Sequence, residues 1–350
     1  MGPLSMHASI HPLISPARLR DILSAPDLVL LDATMPLPGE TFDPEQRFVE
    51  ARLPGARRFD IEQFSDPESP LPHMIPTQAR FATLAGALGV SDAAHVVFYD
   101  QGNAASAARG WWLARLFGLE RVQVLDGGLP AWQRAGGPVD AGAPQAVQAA
   151  AFRPTPRFRL VAGLGDMRDH VRHGDRLILD ARAHGRFTGE VAEPRPGVVS
   201  GHMPGARNLP FGTLLDDHRA FLPPEALRVR FAEAGVTEDR RVVTSCGSGV
   251  SAAVLSLGLV IVAPGAVAVH VRHGREQHGR AAGGRLVDQS AAGIGRQVAG
   301  QMNQQCAHLA PPARHGLMQG AAVGHETALR PGPVSTGAPG VEPHSAHEPS

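Results

Sequence analysis

One cysteine lies in a sequence environment that could support nucleophilic chemistry. Cys246 follows the apolar run Val242-Val243 and precedes a helix-forming stretch, so we expect it in a turn between a strand and a helix. Gly247 and Gly249 would let that turn curl with its N–H groups inward, which favours an anion and hence the reactive thiolate. By position alone, a cysteine after a strand is more often a small buried hydrophobe. The Gly-Ser-Gly turn favours the nucleophile.

The same loop helps to choose between two kinds of anion. Protein phosphatases also place a cysteine at the head of such a loop, but an Arg six positions later grips the phosphate with two hydrogen bonds. Ala252 occupies that position here. A phosphate dianion would be poorly held, so the loop favours a smaller and less charged sulfur species.

A Gly- and Pro-rich stretch further back contains two arginines that could recognise a substrate. Arg186 and Arg195 could both point at a carboxylate, which guanidinium groups bind with two hydrogen bonds. The alternative is a solvated surface loop with an ion pair to Glu190 or Glu193. The sequence leaves both interpretations open.

The elements that position these residues are indicated by an internal repeat. Three blocks recur in the same order at a spacing of about 150 residues, a sign of domain duplication. The pairs are Leu28–Ala33 with Leu177–Ala181, Arg52–Arg57 with His202–Arg207, and Val96–Asp100 with Val242–Cys246. Within each copy, short apolar runs without alternation are separated by helical stretches. The predicted fold class is α/β, with two tandem domains that each form a mainly parallel sheet with helices on both faces.

The repeat also predicts the domain boundaries. We expect a first, non-catalytic domain over residues 14–140 and a second, catalytic domain over residues 158–262. Residues 141–157, rich in Pro, Ala, Gly and Gln and without periodicity, are predicted to be a flexible linker. Residues 263–350 are predicted to be a low-complexity tail.

The second copy departs from the first near its end. The segment Val122–Trp132 reads as a strand, a Gly turn and an aromatic anchor, and nothing similar follows Leu259. From Val260 to Ser350 there is no Phe, Tyr or Trp, so this segment has little means of offsetting its ordering entropy. We therefore expect an incomplete second domain that lacks its last strand. Two explanations stay open, a disordered extension and a reading-frame shift, and the loss of a needed strand where the composition changes favours the shift.

The overall composition excludes several classes of protein. Thirty-three basic residues balance 33 acidic ones, so no net charge attracts the chain to nucleic acid or to a membrane surface. Neither a secretory signal at the start nor an apolar run of about 18 residues is found. Cys246 and Cys306 are the only cysteines, which implies no disulfide framework and favours the cytoplasm. No cluster of metal ligands or cofactor motif stands out, so we expect no metal and no cofactor.

At these residues the chain resembles the rhodanese superfamily, specifically the tandem-domain 3-mercaptopyruvate sulfurtransferases. The loop Cys246-Gly247-Ser248-Gly249-Val250-Ser251-Ala252 is similar to the form of the mercaptopyruvate enzymes, whereas thiosulfate-preferring relatives usually place Arg-Lys after the cysteine. The resemblance covers about residues 14 to 259. Further matches are Ser69–Met74, Arg109–Trp112 and Gly201–Ala206.

The resemblance implies roles for individual residues. It implies that Cys246 carries the sulfur, that Gly247, Gly249, Val250 and Ser251 form the substrate loop, and that Arg186 and Arg195 bind the substrate. It also implies that Ser248 and His73 move a proton, with Glu62 in place of the acidic partner of some relatives. In the first domain, Asp100 stands where the second domain has Cys246.

The implied reaction moves sulfane sulfur from 3-mercaptopyruvate through a Cys246 persulfide to an acceptor. Pyruvate leaves, and the acceptor is cyanide, a small thiol or thioredoxin. The alternatives are a thiosulfate sulfurtransferase and a catalytically impaired sulfur-binding or interaction module, the second of which follows from the expected loss of a strand.

Overall fold

The computed structural model describes residues 10–194 and 200–263, together with the backbone of residues 269–271. The described residues all belong to one compact unit of the chain. They form two five-stranded parallel sheets, which confirms the predicted α/β fold class with two tandem domains. Arg195 lies outside the described residues.

The first sheet has the strand order β1-β5-β4-β2-β3. Its strands are β1 (Leu13–Ile14), β2 (Leu28–Asp32), β3 (Arg57–Arg58), β4 (His95–Tyr99) and β5 (Val122–Leu125). Its helices are α1 (Pro16–Asp21), α2 (Pro44–Glu50), α3 (Gln78–Ala87), α4 (Ala105–Leu116) and α5 (Gly128–Arg134).

The second sheet has the equivalent order β6-β10-β9-β7-β8. Its strands are β6 (Val161–Ala162), β7 (Leu177–Asp180), β8 (Arg207–Asn208), β9 (Val242–Ser245) and β10 (Val269–Val271). Its helices are α6 (Leu164–His173), α7 (His184–Thr188), α8 (Pro224–Glu233) and α9 (Ala252–Val262), and 3₁₀ turns lie at Phe158–Leu160 and Phe211–Leu214.

Strand β10 corrects one expectation. No strand was expected after Leu259, but the backbone of Val269–Val271 pairs in parallel with β9 on one side and with β6 on the other. The expectation relied on a missing aromatic anchor and Gly turn. A three-residue strand needs neither, because its backbone hydrogen bonds come from the two neighbouring strands.

The linker prediction needs a second correction. The backbone N–H of Ala150 donates to the carbonyl of Gly86, and that of Thr155 donates to the carbonyl of Phe117, both at 2.9 Å. Phe152 is buried against the first domain. The segment predicted to be flexible is therefore tied to the first domain, because apolar and backbone groups within it find partners there.

The apolar side chains of each sheet pack on both faces of that sheet. In the first sheet Val29 and Leu31 belong to one apolar cluster, whereas Leu30 between them belongs to another on the opposite face. Leu179 and Ile178 divide in the same way in the second sheet. Alternate residues of these buried strands thus serve the two faces of the sheet.

One apolar cluster runs through both domains. It joins one face of the first sheet to one face of the second through helices α4 and α9, which pack against each other. Both helices are buried along almost their whole length. The two domains therefore share part of their core.

Among the helices of residues 10–194 and 200–263, none has the length and apolar content needed to cross a lipid bilayer.

The close approach of α4 to its sheet depends on Gly110. A Cβ at this position would lie 2.4 Å from the ring of Phe98, which is fully buried in β4. We expect Gly110→Ala to lower the thermal unfolding midpoint. Overpacking a tight core lowers the free energy of unfolding by about 1–3 kcal/mol, whereas the better helix propensity of Ala raises it by only about 1 kcal/mol. Gly212→Ala is the matched control, since a Cβ there meets nothing within 4 Å. Equal midpoints for the two variants would contradict this account of the α4 contact.

Candidate active site

Cys246 lies where β9 ends and α9 has not yet begun. The parallel pairing of β7 with β9 brings Asp180 beside Ser245, so the carboxyl ends of both strands open at the same edge of the sheet. Cys246 is 8% exposed, and the backbone N–H of Gly249 donates to its Sγ at 3.1 Å. Gly249 has a φ of +83°, a conformation that favours glycine. The strand–turn–helix placement predicted for the thiol is confirmed.

A cleft with a volume of about 460 Å³ opens in front of this loop. Its walls come from both domains, because the first domain contributes the segment from Leu37 to Glu40 and the second contributes Cys246, Arg186 and the ends of its strands. The volume is typical of sites for small molecules. Four predicted loop residues line it: Gly247, Ser248, Val250 and Ser251.

A chain of side-chain hydrogen bonds reaches the loop from the first domain. The Nδ1 atom of His73 lies 2.9 Å from the Ser248 hydroxyl oxygen, and its Nε2 atom lies 2.6 Å from a carboxylate oxygen of Glu62. A carboxylate can only accept, so Nε2–H donates to Glu62. In the neutral ring Nδ1 then accepts the Ser248 hydroxyl hydrogen. The contact between His73 and Ser248 joins residues that lie 175 positions apart in the chain.

The backbone at His73 supports this arrangement. His73 has a φ of +56°, in the left-handed region that few residues other than glycine adopt. Such a conformation costs about 1 kcal/mol or more and persists only where the surroundings fix it. Here both ring nitrogens are hydrogen-bonded, and the carbonyl of His73 accepts from Arg109.

Arg186 lines the cleft and is also ion-paired. Its Nη2 atom lies 2.5 Å from Glu193, and the second carboxylate oxygen of Glu193 lies 2.6 Å from Arg182. Burial alone raises the pKa of Glu193, but the hydrogen bonds and charges of Arg186 and Arg182 outweigh this effect and lower it. The loop therefore does form an ion pair, between Arg186 and Glu193, and Arg186 also lines the cleft.

Arg182 is a cleft residue that the sequence did not single out. It lines the cleft, is 8% exposed, and holds Asp180 through three hydrogen bonds. Burial alone lowers the pKa of Arg182, but Asp180 and Glu193 raise it. This network fixes the carboxyl end of β7, and helix α7, which carries Arg186, begins shortly after that strand.

The first domain has the same kind of loop without a thiol. Asp100 is fully buried after β4, and its carboxylate accepts from the backbone N–H groups of Gly102, Asn103, Ala104 and Ala107 at 3.0–3.1 Å. Burial raises the pKa of Asp100, and these four donors oppose that effect. The carboxylate thus fills the first-domain loop, whose place in the fold matches that of the Cys246 loop.

The chain has clear similarity to known proteins. Residues 15–135 match the rhodanese-like domain family. The 3-mercaptopyruvate sulfurtransferase of Escherichia coli (strain K12) is 40% identical over 245 residues, which cover 69% of this chain and 85% of that protein. The mitochondrial thiosulfate/3-mercaptopyruvate sulfurtransferase 1 of Arabidopsis thaliana is 37% identical over 268 residues, which cover 71% of each chain.

A solved structure agrees with these sequence matches. The crystal structure of SseA, a 3-mercaptopyruvate sulfotransferase from Escherichia coli with the rhodanese fold, superposes with a TM-score of 0.70 at 34% identity. The match covers 76% of this chain and 99% of SseA. This protein belongs to the rhodanese-fold family of 3-mercaptopyruvate sulfurtransferases.

Proposed function

We propose that this protein is a sulfurtransferase that moves sulfane sulfur from 3-mercaptopyruvate to a thiol or to cyanide. Cys246 carries the sulfur as a persulfide, and pyruvate is released. The observation that carries the proposal is one cleft that contains Cys246, Arg186 and the hydroxyl of Ser248, which His73 contacts from the other domain.

The first half-reaction forms the persulfide. The thiolate of Cys246 attacks the sulfur of 3-mercaptopyruvate, so a sulfur–sulfur bond forms and the carbon–sulfur bond breaks. The electron pair of the broken bond stays on the pyruvate fragment as an enolate, which then takes a proton at carbon. The loop N–H of Gly249, which donates to Sγ, stabilises negative charge on the sulfur.

Arg186 is proposed to bind the donor carboxylate. It can leave Glu193 for the substrate without stranding a buried charge, because Glu193 stays paired with Arg182 at 2.6 Å. Arg195 is proposed as the second carboxylate ligand on the family resemblance alone, since it lies outside the described residues.

Ser248 and His73 are proposed to supply the proton that the enolate needs. The Ser248 hydroxyl donates it and is reprotonated by the imidazolium form of His73, which Glu62 orients and which takes its extra proton from solvent. The loop N–H and hydroxyl groups of Gly247, Val250 and Ser251 complete the wall against which the donor rests.

The second half-reaction regenerates the free thiolate of Cys246 from the persulfide. An acceptor thiolate or cyanide attacks the outer sulfur, the sulfur–sulfur bond breaks, and Cys246 leaves as a thiolate. The steps need no metal or organic cofactor. A small thiol or thioredoxin in the cytoplasm is the proposed acceptor, although one similar protein is named as mitochondrial.

The persulfide is directly testable by mass spectrometry of the intact protein. After incubation with 3-mercaptopyruvate, we expect a mass gain of one sulfur atom that excess cyanide removes. Cys246→Ser should abolish the gain, whereas Cys306→Ser should retain it, since these are the only two cysteines. Folded protein that gains no sulfur would instead support the non-catalytic sulfur-binding or interaction module.

The proton relay predicts non-additive losses. We expect Ser248→Ala and His73→Asn each to slow pyruvate formation about 100-fold, a typical contribution of general acid–base catalysis. Because both residues act on one proton, the double variant should lose little more than either single one. Ser91→Ala, outside the cleft, is the control and should keep the rate. Losses that multiply in the double variant would show two independent roles.

The donor preference is predicted to depend on the two residues after Cys246. Replacing Gly247 with Arg and Ser248 with Lys should raise the rate of thiosulfate turnover itself, because the added charges favour a dianionic donor. Ser248→Ala, which removes the hydroxyl without adding charge, should lower mercaptopyruvate turnover and leave thiosulfate turnover unchanged. An unchanged rate with thiosulfate in the charged variant would contradict the loop argument for mercaptopyruvate over thiosulfate.

A further inference from the structure

Arg109 is a buried cation that connects the two domains at the active-site loop. It lies on α4 of the first domain and is 2% exposed. Its Nη2 group donates to the carbonyl of His73 at 2.6 Å, and its Nη1 group donates to the carbonyl of Gly249 at 3.3 Å. One guanidinium thus holds the histidine that contacts Ser248 and the glycine whose N–H donates to Cys246.

No carboxylate in the described part of the chain pairs with the charge of Arg109. Among the residues that the structure describes, no Asp or Glu forms an ion pair with it, and its Nε has no hydrogen-bond partner. The ring of Trp112, 4.9 Å from Cζ, gives a cation–π contact. Burial lowers the pKa of Arg109 to about 10, and the negative charge of Cys246 opposes that shift. The same residue, Gly249, links this cation to the thiol, because its carbonyl accepts from Arg109 and its N–H donates to the Cys246 sulfur.

We propose that Arg109 is a positioning residue that keeps Cys246 in its anionic, sulfur-accepting form. Its buried charge stabilises the thiolate from across the domain boundary, and its two hydrogen bonds hold His73 and Gly249 in place. The proposal rests on the proposed role of Cys246 as the sulfur carrier and assigns part of its reactivity to the first domain.

Two features distinguish Arg109 from Arg182 and Arg186, the arginines that line the cleft. Arg182 and Arg186 share Glu193, and Arg182 also pairs with Asp180, so carboxylates largely neutralise both charges. Arg109 is also shielded from water, which strengthens its effect on a nearby anion. The same charge stabilises the thiolate again when the persulfide gives up its outer sulfur.

The test measures the rate of Cys246 alkylation by iodoacetamide against pH in the full chain, with Cys306→Ser as the background so that only one thiol reacts. Removing a cation disfavours the thiolate, so Arg109→Met should move the midpoint of the pH profile up by about one unit. At pH values below the wild-type midpoint, the alkylation rate should then fall about tenfold. Arg109→Lys, which keeps the charge, should stay close to the wild-type midpoint.

Arg115→Met is the matched control. Arg115 lies on the same helix, and its Cζ is 4.9 Å from the ring of Trp111. Burial, followed by the charges of Arg157 and Arg159, lowers its pKa. Its removal should leave the midpoint unchanged. A folded Arg109→Met with the wild-type midpoint, or an equal shift in Arg115→Met, would overturn the proposal.

Two further comparisons keep the test decisive. If Arg109→Met does not fold, a folded Arg109→Lys whose midpoint rises by a full unit overturns the proposal, because its charge is retained. Alkylation does not require the sulfur donor. A wild-type protein with the expected profile that gains no sulfur from 3-mercaptopyruvate would therefore refute the proposed function and leave the role of Arg109 intact.

Discussion

The packing of α4 against α9 is the contact on which the active site depends. Each helix follows directly from the loop at the end of a central strand, α4 from the Asp100 loop and α9 from the Cys246 loop. Apolar burial holds the two helices together and is not directional. The loops at their N-termini are nevertheless carried to the domain boundary, where His73 and Arg109 of the first domain meet the Cys246 loop of the second. A site made of two domains thus follows from the joining of their cores.

The two loops show how one backbone arrangement can serve different purposes. In the first domain the anion is the Asp100 carboxylate, which accepts four backbone N–H groups and leaves no reactive atom in the loop. In the second, a thiol takes the same place, and one backbone N–H group, that of Gly249, donates to its sulfur. A carboxylate satisfies the loop permanently, whereas a thiolate satisfies it and can also form a bond. The first domain, which has no thiol in its loop, therefore contributes His73 and Arg109 to the active-site loop of the second domain.

The sequence predicted the local features of the site well. The position of Cys246 between a strand and a helix depends on residues within a few positions of it, and so does the curl at Gly247 and Gly249. The repeat then predicted the two sheets, because buried parallel strands leave a pattern of apolar runs. The ion pair of Arg186 with Glu193 within one loop was one of two open alternatives. Pairings between distant segments left no such signal, and the buried Arg109 was noted only as part of a matching segment.

The two corrections have a common physical cause. Strand β10 and the linker were judged by what their own residues could bury, and both are poor in aromatic residues. In the structure their backbones bond to partners that already exist, β9 and β6 for the strand and the first domain for the linker. Backbone hydrogen bonds carry no side-chain signature. Composition therefore underestimates order wherever neighbouring strands or a neighbouring domain supply the hydrogen-bond partners.

The charges around the cleft divide between two kinds of task. Arg186 shares Glu193 with Arg182, so its charge is balanced before a substrate arrives and can be redirected to a donor carboxylate. Arg109 is fixed at two carbonyls in a dry interface, and its charge acts on whatever anion Cys246 presents. A cation that must exchange partners belongs at a solvent-accessible cleft, where water lowers the cost of exchange. A cation that must sustain an anion through the whole cycle acts most strongly when it is buried, and the first domain supplies that burial.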